Sequence, residues 1–374
     1  MTRTLAFLET RTSGDYPEGS NGHVPTTALL GYGKNHEPIY QVAGGAVSDA
    51  NITAWIPMEY ESEAVVRVRS ESAIEAIGYK YVMTSKTKSI PRSGATKSHV
   101  GTTYVDDDST NDEVVITARR FNGRISFDQD DLSDANSRMN VRQTKANDWA
   151  SSYADLFDNS CLGVSADQNL TIDGTTHNYI APFKSVYYIL RNTTDVGLGY
   201  TADDNYLTWD DDLTTTTSAG NLYDKLSQAI GKLEQGKFWS KNDTVIIAAP
   251  GWREQLRLLK DAQGQPVFIN NRDASGGTQN DYLMGYPVYW SRGAKVAGKA
   301  TDDPTGADLI FIANKRFLAR GDRVGDSGSA APESSFALAR PQDDTDDASM
   351  KFRVRRAFAL THPRAAVVIQ RVTD

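Results

Sequence analysis

Two short runs between Leu256 and Ser291 decide the fold: LRLLKDAQGQPVF at residues 256–268 and DYLMGYPVYWS at residues 281–291. The first run completes a helical pattern that opens at Pro250 and ends in the turn-forming residues DAQGQP. A Gly-rich gap follows, and the second run contains YPVYWS, whose aromatic and β-branched content predicts a strand. The stretch therefore predicts a helix, a glycine-containing turn and a strand in close succession.

The length and composition of the chain limit the classes of protein to which it can belong. The chain has 374 residues, which suggests two to three domains at about 150 residues each. With Gly counted and Tyr left out, roughly 42% of the residues are apolar, slightly below the usual ~45–50%. The net charge of −8 excludes a globally basic nucleic-acid binder, and the single cysteine, Cys161, excludes an internal disulfide and four-cysteine metal sites. Because no stretch approaches the ~18 apolar residues of a membrane span, we expect a soluble protein of a reducing compartment.

The first 50 or so residues have the composition of an arm rather than of a domain. They are dense in Gly, Pro, Asn and Asp, with apolar residues only in isolated pairs. Such a segment cannot bury enough surface by itself to offset the entropy of ordering it. Two interpretations stay open: a disordered terminus, or an extended arm that orders against a neighbouring subunit.

Charge is segregated along residues 85–117. The first half of this segment has only basic charges, at Lys86, Lys88, Arg92 and Lys97, and the second half only acidic ones, at Asp106, Asp107, Asp108, Asp112 and Glu113. Turn-forming residues join the halves, so we predict a two-armed β excursion. The arms could pair with each other, since opposite charges across an antiparallel pair contribute about 0.2–1 kcal/mol. The sparse apolar content favours a projecting loop whose arms contact other chains.

Strands and helices alternate without a regular repeat. Residues 63–70, 76–84 and 114–127 have strand patterns, and Ser126 with Gln129 gives a capping-box signature that predicts a helix start. Apolar residues then recur at helical spacing as far as Gly163, which predicts a strut of more than twenty residues. Residues 164–220 are loop-rich. Beyond them the pattern predicts a helix at 222–233 and strands at 244–250, 286–291, 308–313 and in three segments of the tail, SSFALAR, KFRVRRAFAL and RAAVVIQRV. This order indicates an α+β fold rather than a doubly wound sheet.

The nearest match to an enzyme motif is GAKVAGKAT, Gly293–Thr301, which has the spacing G-x-x-x-x-G-K. A phosphate-binding loop next requires Ser or Thr for magnesium and a helix directly afterwards. This chain has Ala300 and then TDDPTGAD, so we expect no nucleotide site.

The other candidate motifs for metal binding and catalysis are incomplete as well. DQDDLSDAN, residues 128–136, has the carboxylate density of a calcium loop but lacks the required Gly and Glu positions. The five histidines are far apart and there is no G-x-S-x-G, although a triad assembled in space stays open. The sequence predicts no catalytic, cofactor-binding or metal-binding residue and no cofactor.

The Leu256–Ser291 stretch resembles the major capsid proteins of tailed double-stranded DNA bacteriophages, which have the Hong Kong 97-type fold. The positions that carry the resemblance are Leu259, Lys260, Asp261, Gly264, Phe268, Leu283, Gly285, Pro287 and Val288. Weaker similarity in ISFDQDDLSDAN, IPRSGATKS and HPRAAVV extends it over residues 55–374. The sequence departs from the family in an enlarged 164–220 region and in showing no long helical N-terminal segment of the kind that acts as a fused scaffold. Two explanations stay open for the second departure: a separate scaffolding protein, or removal of such a segment.

The resemblance implies a division of the chain into an arm, a loop and two domains. We expect an N-terminal arm (1–54), an extended loop (85–117) and an axial domain with inserted loops (191–340). The peripheral domain is then expected to comprise a first part (55–84), a part with the spine helix (118–190) and closing strands (341–374).

The implied function is structural, with no enzyme activity. The protein would self-assemble into hexamers and pentamers of an icosahedral shell around double-stranded DNA, which it contacts only weakly and non-specifically. A separate scaffolding protein, a portal and, as an optional partner, a decoration protein are implied, without a membrane. We expect assembly in the host cytoplasm, a final location in the virion capsid and no covalent cross-link.

The loop charges are the expected inter-subunit interface: Lys86, Lys88, Arg92, Lys97, Asp106, Asp107, Asp108, Asp112 and Glu113. We expect Arg353, Arg355 and Arg356 to pair with carboxylates of the chain rather than with phosphate. Two alternatives stay open: an encapsulin-like bacterial nanocompartment shell, which would enclose an enzyme, and a stand-alone enzyme.

Overall fold

Eleven stretches of the chain are described by a computed structural model: residues 28–32, 38–41, 71–92, 98–106, 112–128, 141–195, 197–210, 222–258, 281–324, 332–337 and 347–372. The chain divides into two units, Met1–Ala64 and Val65–Asp374. In the described part of the first unit, β1 (Ala28–Tyr32) pairs antiparallel with β2 (Pro38–Gln41).

The second unit contains both helices and strands. Its helices are α1 (Ala73–Ile77), α2 (Val141–Leu162), α3 (Val186–Asn192), α4 (Leu222–Glu234) and α5 (Trp252–Leu258). Its strands are β3 (Tyr79–Met83), β4 (Thr87–Arg92), β5 (Asp112–Thr117), β6 (Arg119–Asp128), β7 (Asn169–Ile172), β8 (Tyr179–Ala181), β9 (Tyr206–Asp210), β10 (Thr244–Ala248), β11 (Asp281–Leu283), β12 (Tyr286–Trp290), β13 (Leu309–Asn314), β14 (Leu318–Arg323), β15 (Glu333–Ala337), β16 (Asp347–Leu360) and β17 (Ala366–Val372). Within these described residues, no helix is long and apolar enough to cross a membrane.

The five-stranded sheet is organised around the long strand β16. β6 pairs antiparallel with one edge of β16, over residues 347–356. β15 and β14 share the other edge, β15 over residues 349–353 and β14 over residues 356–360, and β3 then pairs parallel with β14. Since its strands come from distant parts of the chain, this sheet ties residues before α2 to residues near the C-terminus.

The six-stranded sheet has the order β11-β12-β10-β13-β17-β9. Its central strands β10 and β13 are buried along their whole length, and α4 packs against β9, β13 and β17. A continuous apolar run such as Leu309–Ala313 fits a strand that is covered on both faces.

Aromatic side chains fasten α2 to the five-stranded sheet. Trp149 stacks on Phe352 with ring centroids 4.9 Å apart, and Tyr153 and Phe157 both contact Phe121 at 5.7 Å. Because each of these aromatic side chains removes a large apolar area from water, they hold the helix along the sheet. The helix ends at Leu162, immediately before Gly163, as its apolar spacing predicts.

The structure corrects one sequence-based expectation. The predicted helix start at Ser126 is wrong, because Ser126 lies in β6 and pairs with Ser349, so long-range strand pairing overrides the local capping signature. The closing range 341–374 contributes strands to both sheets. β16 belongs to the five-stranded sheet and β17 to the six-stranded one, and the chain passes between them through a 3₁₀ turn at Pro363–Ala365. In the predicted axial range 191–340, β14 and β15 likewise lie in the five-stranded sheet.

Candidate interaction surface

The inner end of the segment 85–117 is a two-stranded stem. β4 and β5 pair antiparallel from Thr87 opposite Thr117 to Arg92 opposite Asp112. At the outer end, Arg92 forms an ion pair with Asp112, and its Nη1 donates a hydrogen bond of 3.0 Å to the carbonyl oxygen of Thr361. The Glu113 N–H and then the Arg92 guanidinium hold the pKa of Asp112 below its usual value. This charge pair therefore closes the stem within one subunit.

Other predicted interface residues in the stem also contact their own chain. Lys88 Nζ donates to the Val82 carbonyl oxygen at 2.9 Å, and Ser89 Oγ donates to a Glu113 carboxylate oxygen at 2.5 Å. Lys86 and Asp106 are exposed. The remaining three, Lys97, Asp107 and Asp108, lie outside the described residues, and no contact of any of the nine with another chain is tested.

The stem is anchored on the five-stranded sheet by a small apolar cluster. Ile90 and Ile116 from the stem, with Ala118 beyond it, pack against three buried side chains of the sheet, Met83, Ala319 and Ala357. The apolar positions alternate with exposed ones along β4 and β5, as expected for a hairpin with one covered face. The inner part of the loop is thereby fixed to its own subunit.

The same face of the sheet continues into a group of cations, which we call the cationic face: Arg120, Arg124, Lys351, Arg353 and Arg355. Arg120 lies directly opposite Arg355, and Arg124 directly opposite Lys351. Like charges in this arrangement destabilise a sheet. Within the described part of the chain, Arg353 is the one member with an ion pair, to Glu333. The period-two cations in RRFNGR and KFRVR are the available sequence signal, but only the pairing of β6 with β16 brings these two distant segments together.

Beneath the sheet, on its α2 side, the buried charged side chains of Arg320, Asp322 and Arg356 form a network with the half-buried Glu75. Arg356 Nε lies 2.7 Å from Glu75 and 3.4 Å from Asp322. Arg320 pairs with Asp322 at 2.8 Å, and the Tyr153 hydroxyl donates to Glu75 at 2.7 Å. The expected carboxylate partners are thus present for Arg353 and Arg356, and these contacts tie α1, α2, β14 and β16 together.

Near the C-terminal end of α2, the buried carboxylate of Asp158 joins three segments. It accepts hydrogen bonds from Ser72 Oγ (2.5 Å), from the backbone N–H groups of Ala73 (2.8 Å) and Ile74 (3.2 Å), and from Ser291 Oγ (2.6 Å). Burial raises the pKa of Asp158 to about 6, although the hydrogen bonds oppose the rise. Since its donors come from the start of α1 and from the end of β12, Asp158 links the two sheets through α2.

Asn159, the next residue, holds the segment that resembles a phosphate-binding loop. Its Nδ2 donates to the carbonyl oxygens of Gly293 and Lys295, both at 3.0 Å. A Cβ at Gly293 would lie 2.4 Å from the Asn159 backbone nitrogen, and Lys299 forms an ion pair with Asp173. Gly293 of the motif therefore has a packing role and Lys299 a pairing role.

The second half of the fold-deciding stretch is a tight hairpin. Met284 (φ 50°) and Gly285 (φ 85°) form the two-residue loop between β11 and β12, and two left-handed residues are what a type I′ turn requires. Leu283 is buried, and Val288 pairs with Ile246 of β10. Pro287 comes one residue before the part of β12 that pairs with β10. Its missing N–H therefore does not interrupt the pairing of these two strands. Lys260, Asp261 and Gly264 lie outside the described residues.

Among the described residues, no group of three or more His, Cys, Asp or Glu side chains is placed to hold a metal ion. Burial raises the pKa of the Cys161 thiol well above its ordinary value, which disfavours the nucleophilic thiolate. The prominent features of the described surface are thus the anchored loop and the cationic face.

Comparison with solved structures identifies the fold. The structure is similar to ones from Microbacterium phage Oxtober96 (TM-score 0.56, 15% identity, 88% of this chain and 100% of the other) and Mycobacterium phage Ogopogo (0.57, 12%, 86% and 98%). It is also similar to the capsid of a native GTA particle computed with C5 symmetry (0.55, 14%, 88% and 100%). The predicted α+β, Hong Kong 97-like fold is thereby confirmed.

Comparison of the sequence with protein families identifies the family. No curated protein matches. A profile described as the phage capsid family matches residues 54–370, nearly the range 55–374 over which the sequence resemblance extends. Because this match spans most of its length, the chain belongs to the phage capsid family and is a structural protein of a bacteriophage capsid.

Proposed function

We propose that this chain is the self-assembling tile of an icosahedral shell, arranged as hexamers and pentamers around the double-stranded DNA of a tailed phage. The observation that carries the proposal is the contrast between the two ends of the extended loop. Ile90 and Ile116 at its inner end are buried, whereas Val100 and Tyr104 farther out are fully exposed, at 108% and 103% of their reference area. Apolar side chains left fully exposed in this way suit a contact with another subunit.

The charged loop residues would set the register of that contact: Lys86, Lys88, Arg92, Lys97, Asp106, Asp107, Asp108, Asp112 and Glu113. A single exposed ion pair is worth only about 0–1 kcal/mol. A shell repeats each contact many times, however, and charge complementarity steers association and disfavours wrong registers. We therefore expect assembly to depend on ionic strength.

The proposed contents and partners follow from the same role. A net charge of −8 suits a container that holds DNA without gripping it, since tight binding requires many neutralising cations. Assembly would take place in the host cytoplasm with a separate scaffolding protein, a portal and, as an optional partner, a decoration protein. The finished protein would then reside in the virion.

Size-exclusion chromatography and negative-stain electron microscopy of the purified chain, with and without its phage's scaffolding protein, test the assembly. We expect closed shells or capsomer rings that dissociate when salt is raised. A protein that stays monomeric in both conditions would contradict the proposal. Virions should contain nuclease-protected double-stranded DNA, and shells that enclose an enzyme without DNA would instead indicate a nanocompartment.

A further inference from the structure

A cavity of about 230 Å³ lies between β6, α2 and the hairpin that β7 and β8 form. Residues 120–122 of β6 line it, together with Leu156 and Ser160 of α2, and the hairpin contributes most of the remaining wall. A cavity needs only about 10–15 Å³ to hold one water molecule. This one therefore has room for a polar ligand as well as water.

The polar side chains at this cavity lack partners within the described part of the chain. No hydrogen bond or ion pair to another described residue engages the side chains of five lining residues: Arg120, Asn122, His177, Asn178 and Tyr179. Each of these side chains can donate hydrogen bonds, and a guanidinium has five N–H donors. No carboxylate is among the described residues that line the cavity. A group that completes it is therefore an anion with several acceptor oxygens.

The acidic side chain in the turn of the hairpin, Asp173, is engaged elsewhere. It forms an ion pair with Lys299 and accepts a hydrogen bond of 2.8 Å from the Thr175 N–H. Lys299 and then the Thr175 N–H hold the pKa of Asp173 below its usual value. The pair with Lys299 fastens the turn to the segment that follows β12, and it leaves Arg120 for an external anion.

The turn of the hairpin holds a histidine at the cavity in an unfavourable backbone conformation. His177 has a φ of 55°, in the left-handed region that glycine adopts without strain. The turn fixes this conformation, because the His177 N–H donates to the Asp173 carbonyl oxygen and the Asp173 N–H donates to the Asn178 carbonyl oxygen, both at 2.8 Å. Conformations of this kind cluster at functional sites. A histidine where glycine suits the turn better is explained by a ligand that the imidazole binds.

The wall formed by β6 is rigid. Phe121, the residue after Arg120, is buried, and its ring contacts Tyr153 and Phe157 with centroids 5.7 Å apart. A donor on a fixed strand loses little freedom when it binds a ligand. Arg120 also lies directly opposite Arg355 of β16, where like charges repel. An anion beside Arg120 would offset this repulsion.

We propose that this cavity binds a phosphate group, held by Arg120 of β6 and His177 of the hairpin turn. A guanidinium binds two phosphate oxygens through parallel hydrogen bonds. Donors on different elements approach from different directions, which suits the several oxygens of a tetrahedral phosphate better than a planar carboxylate. The free inorganic ion and the backbone of a nucleic acid present the same oxygens, so the experiment has an arm for each source.

Isothermal titration calorimetry of the purified full chain with inorganic phosphate, at an ionic strength held constant with sodium chloride, tests the site. The cavity variants are Arg120→Gln, which removes the cation, and His177→Gly, which removes the imidazole and suits the left-handed backbone. Each has a matched control. Arg124→Gln changes an exposed arginine of the same strand, and Thr176→Gly changes the preceding residue of the same turn, and neither position lines the cavity.

We expect each cavity variant to weaken phosphate binding by about tenfold or more, while the controls stay within about twofold of the unmodified chain. The His177→Gly variant should melt at the same or a higher temperature without phosphate, because glycine relieves the strain of the turn. A loss of binding in this variant is then not a loss of folding. If His177 serves the turn alone, the variant binds phosphate as the unmodified chain does, which would contradict the proposal.

A second titration, with a short DNA duplex, distinguishes the sources. Duplex binding that weakens in the Arg120→Gln variant assigns the site to a nucleic-acid backbone, whereas binding of inorganic phosphate alone assigns it to the free ion, and both support a phosphate site. Absence of binding in both titrations would overturn the proposal. Displacement of phosphate by acetate at equal concentration would reveal a carboxylate site and overturn it as well. Since the titrations do not require shells, these outcomes leave the proposed function untouched.

Discussion

At Gly293 the backbone that follows β12 approaches the end of α2 so closely that no side chain fits between them. A Cβ there would lie 2.4 Å from the Asn159 nitrogen and 2.7 Å from the Asp158 Cβ. Both neighbours belong to a helix whose aromatic side chains fix it against the five-stranded sheet. Because Gly293 has no side chain, the segment that follows β12 of the six-stranded sheet can lie directly against α2, which packs on the five-stranded sheet.

We predict that Gly293→Ala destabilises the subunit by about 1–3 kcal/mol, because the added methyl group overpacks a rigid contact. Gly298→Ala, in the same glycine motif, is the matched control, since nothing lies within 4 Å of the added atom. Urea unfolding of both variants measures the difference. Equal stability of the two would show that the segment moves away from α2 at no cost.

Asp158 predicts a pH dependence of stability. Its pKa is raised to about 6 in the folded protein, so between about pH 4 and pH 6 the folded state binds more protons than the unfolded state. The contribution of Asp158 is therefore fully present below about pH 4 and falls by up to about 3 kcal/mol as pH rises through 6. Urea unfolding at a series of pH values should show that the stability advantage of the unmodified chain over Asp158→Asn narrows across this range. A constant difference would mean that Asp158 does not titrate there.

Among the elements, those with local signatures were predictable from sequence. Helical spacing located α2 and α4, and short apolar runs located β10, β12 and β13, because the pattern of each lies within one continuous segment. The capping box at Ser126 gave a wrong prediction, because β6 includes this residue and pairs there with β16. Such pairing depends on residues far away in the sequence.

The candidate surface was predictable in part for the same reason. Segregated charge marked the loop at residues 85–117, since that signal is contiguous. The cationic face was missed, because Arg120 and Arg124 become neighbours of Lys351 and Arg355 only when β6 pairs with β16.

The stem of the loop depends on a very small apolar cluster. Ile116 is 1% exposed within it, whereas its neighbour Val115 is 54% exposed on the opposite face. We predict that Ile116→Ala destabilises the stem by about 2–5 kcal/mol, and Val115→Ala by less than about 0.5 kcal/mol. Hydrogen exchange of the β4 and β5 amides is the measurement, and equal protection in both variants would contradict an anchored stem.

At the scale of the whole molecule, the slightly polar composition of the chain can be related to one part of it, the extended loop. The large unit buries a core that spans both sheets and α2, so the slight shortage of apolar residues does not reflect a poor core. The extended loop instead presents Val100, Tyr104 and Val105 to solvent beside its charged residues. In the proposed assembly another copy covers this surface, so we expect association, rather than folding, to be the step most sensitive to changes in the loop.

We therefore predict that Lys86→Glu, Lys88→Glu and Lys97→Glu together block shell formation and leave a soluble subunit. Lys86 is exposed, and Lys88 donates to the Val82 carbonyl oxygen and lies 5.7 Å from the centre of the Tyr81 ring, so neither contributes a buried charge and the folded subunit should tolerate the exchange. Each lost pair is worth at most about 1 kcal/mol, but the loss recurs at every contact of a ring and like charges then repel. Lys237→Glu, Lys241→Glu and Arg257→Glu provide an equal charge change at exposed positions away from the loop. Sedimentation of both variants distinguishes shells from subunits. Normal particles from the loop variant would show that its basic arm plays no part in assembly.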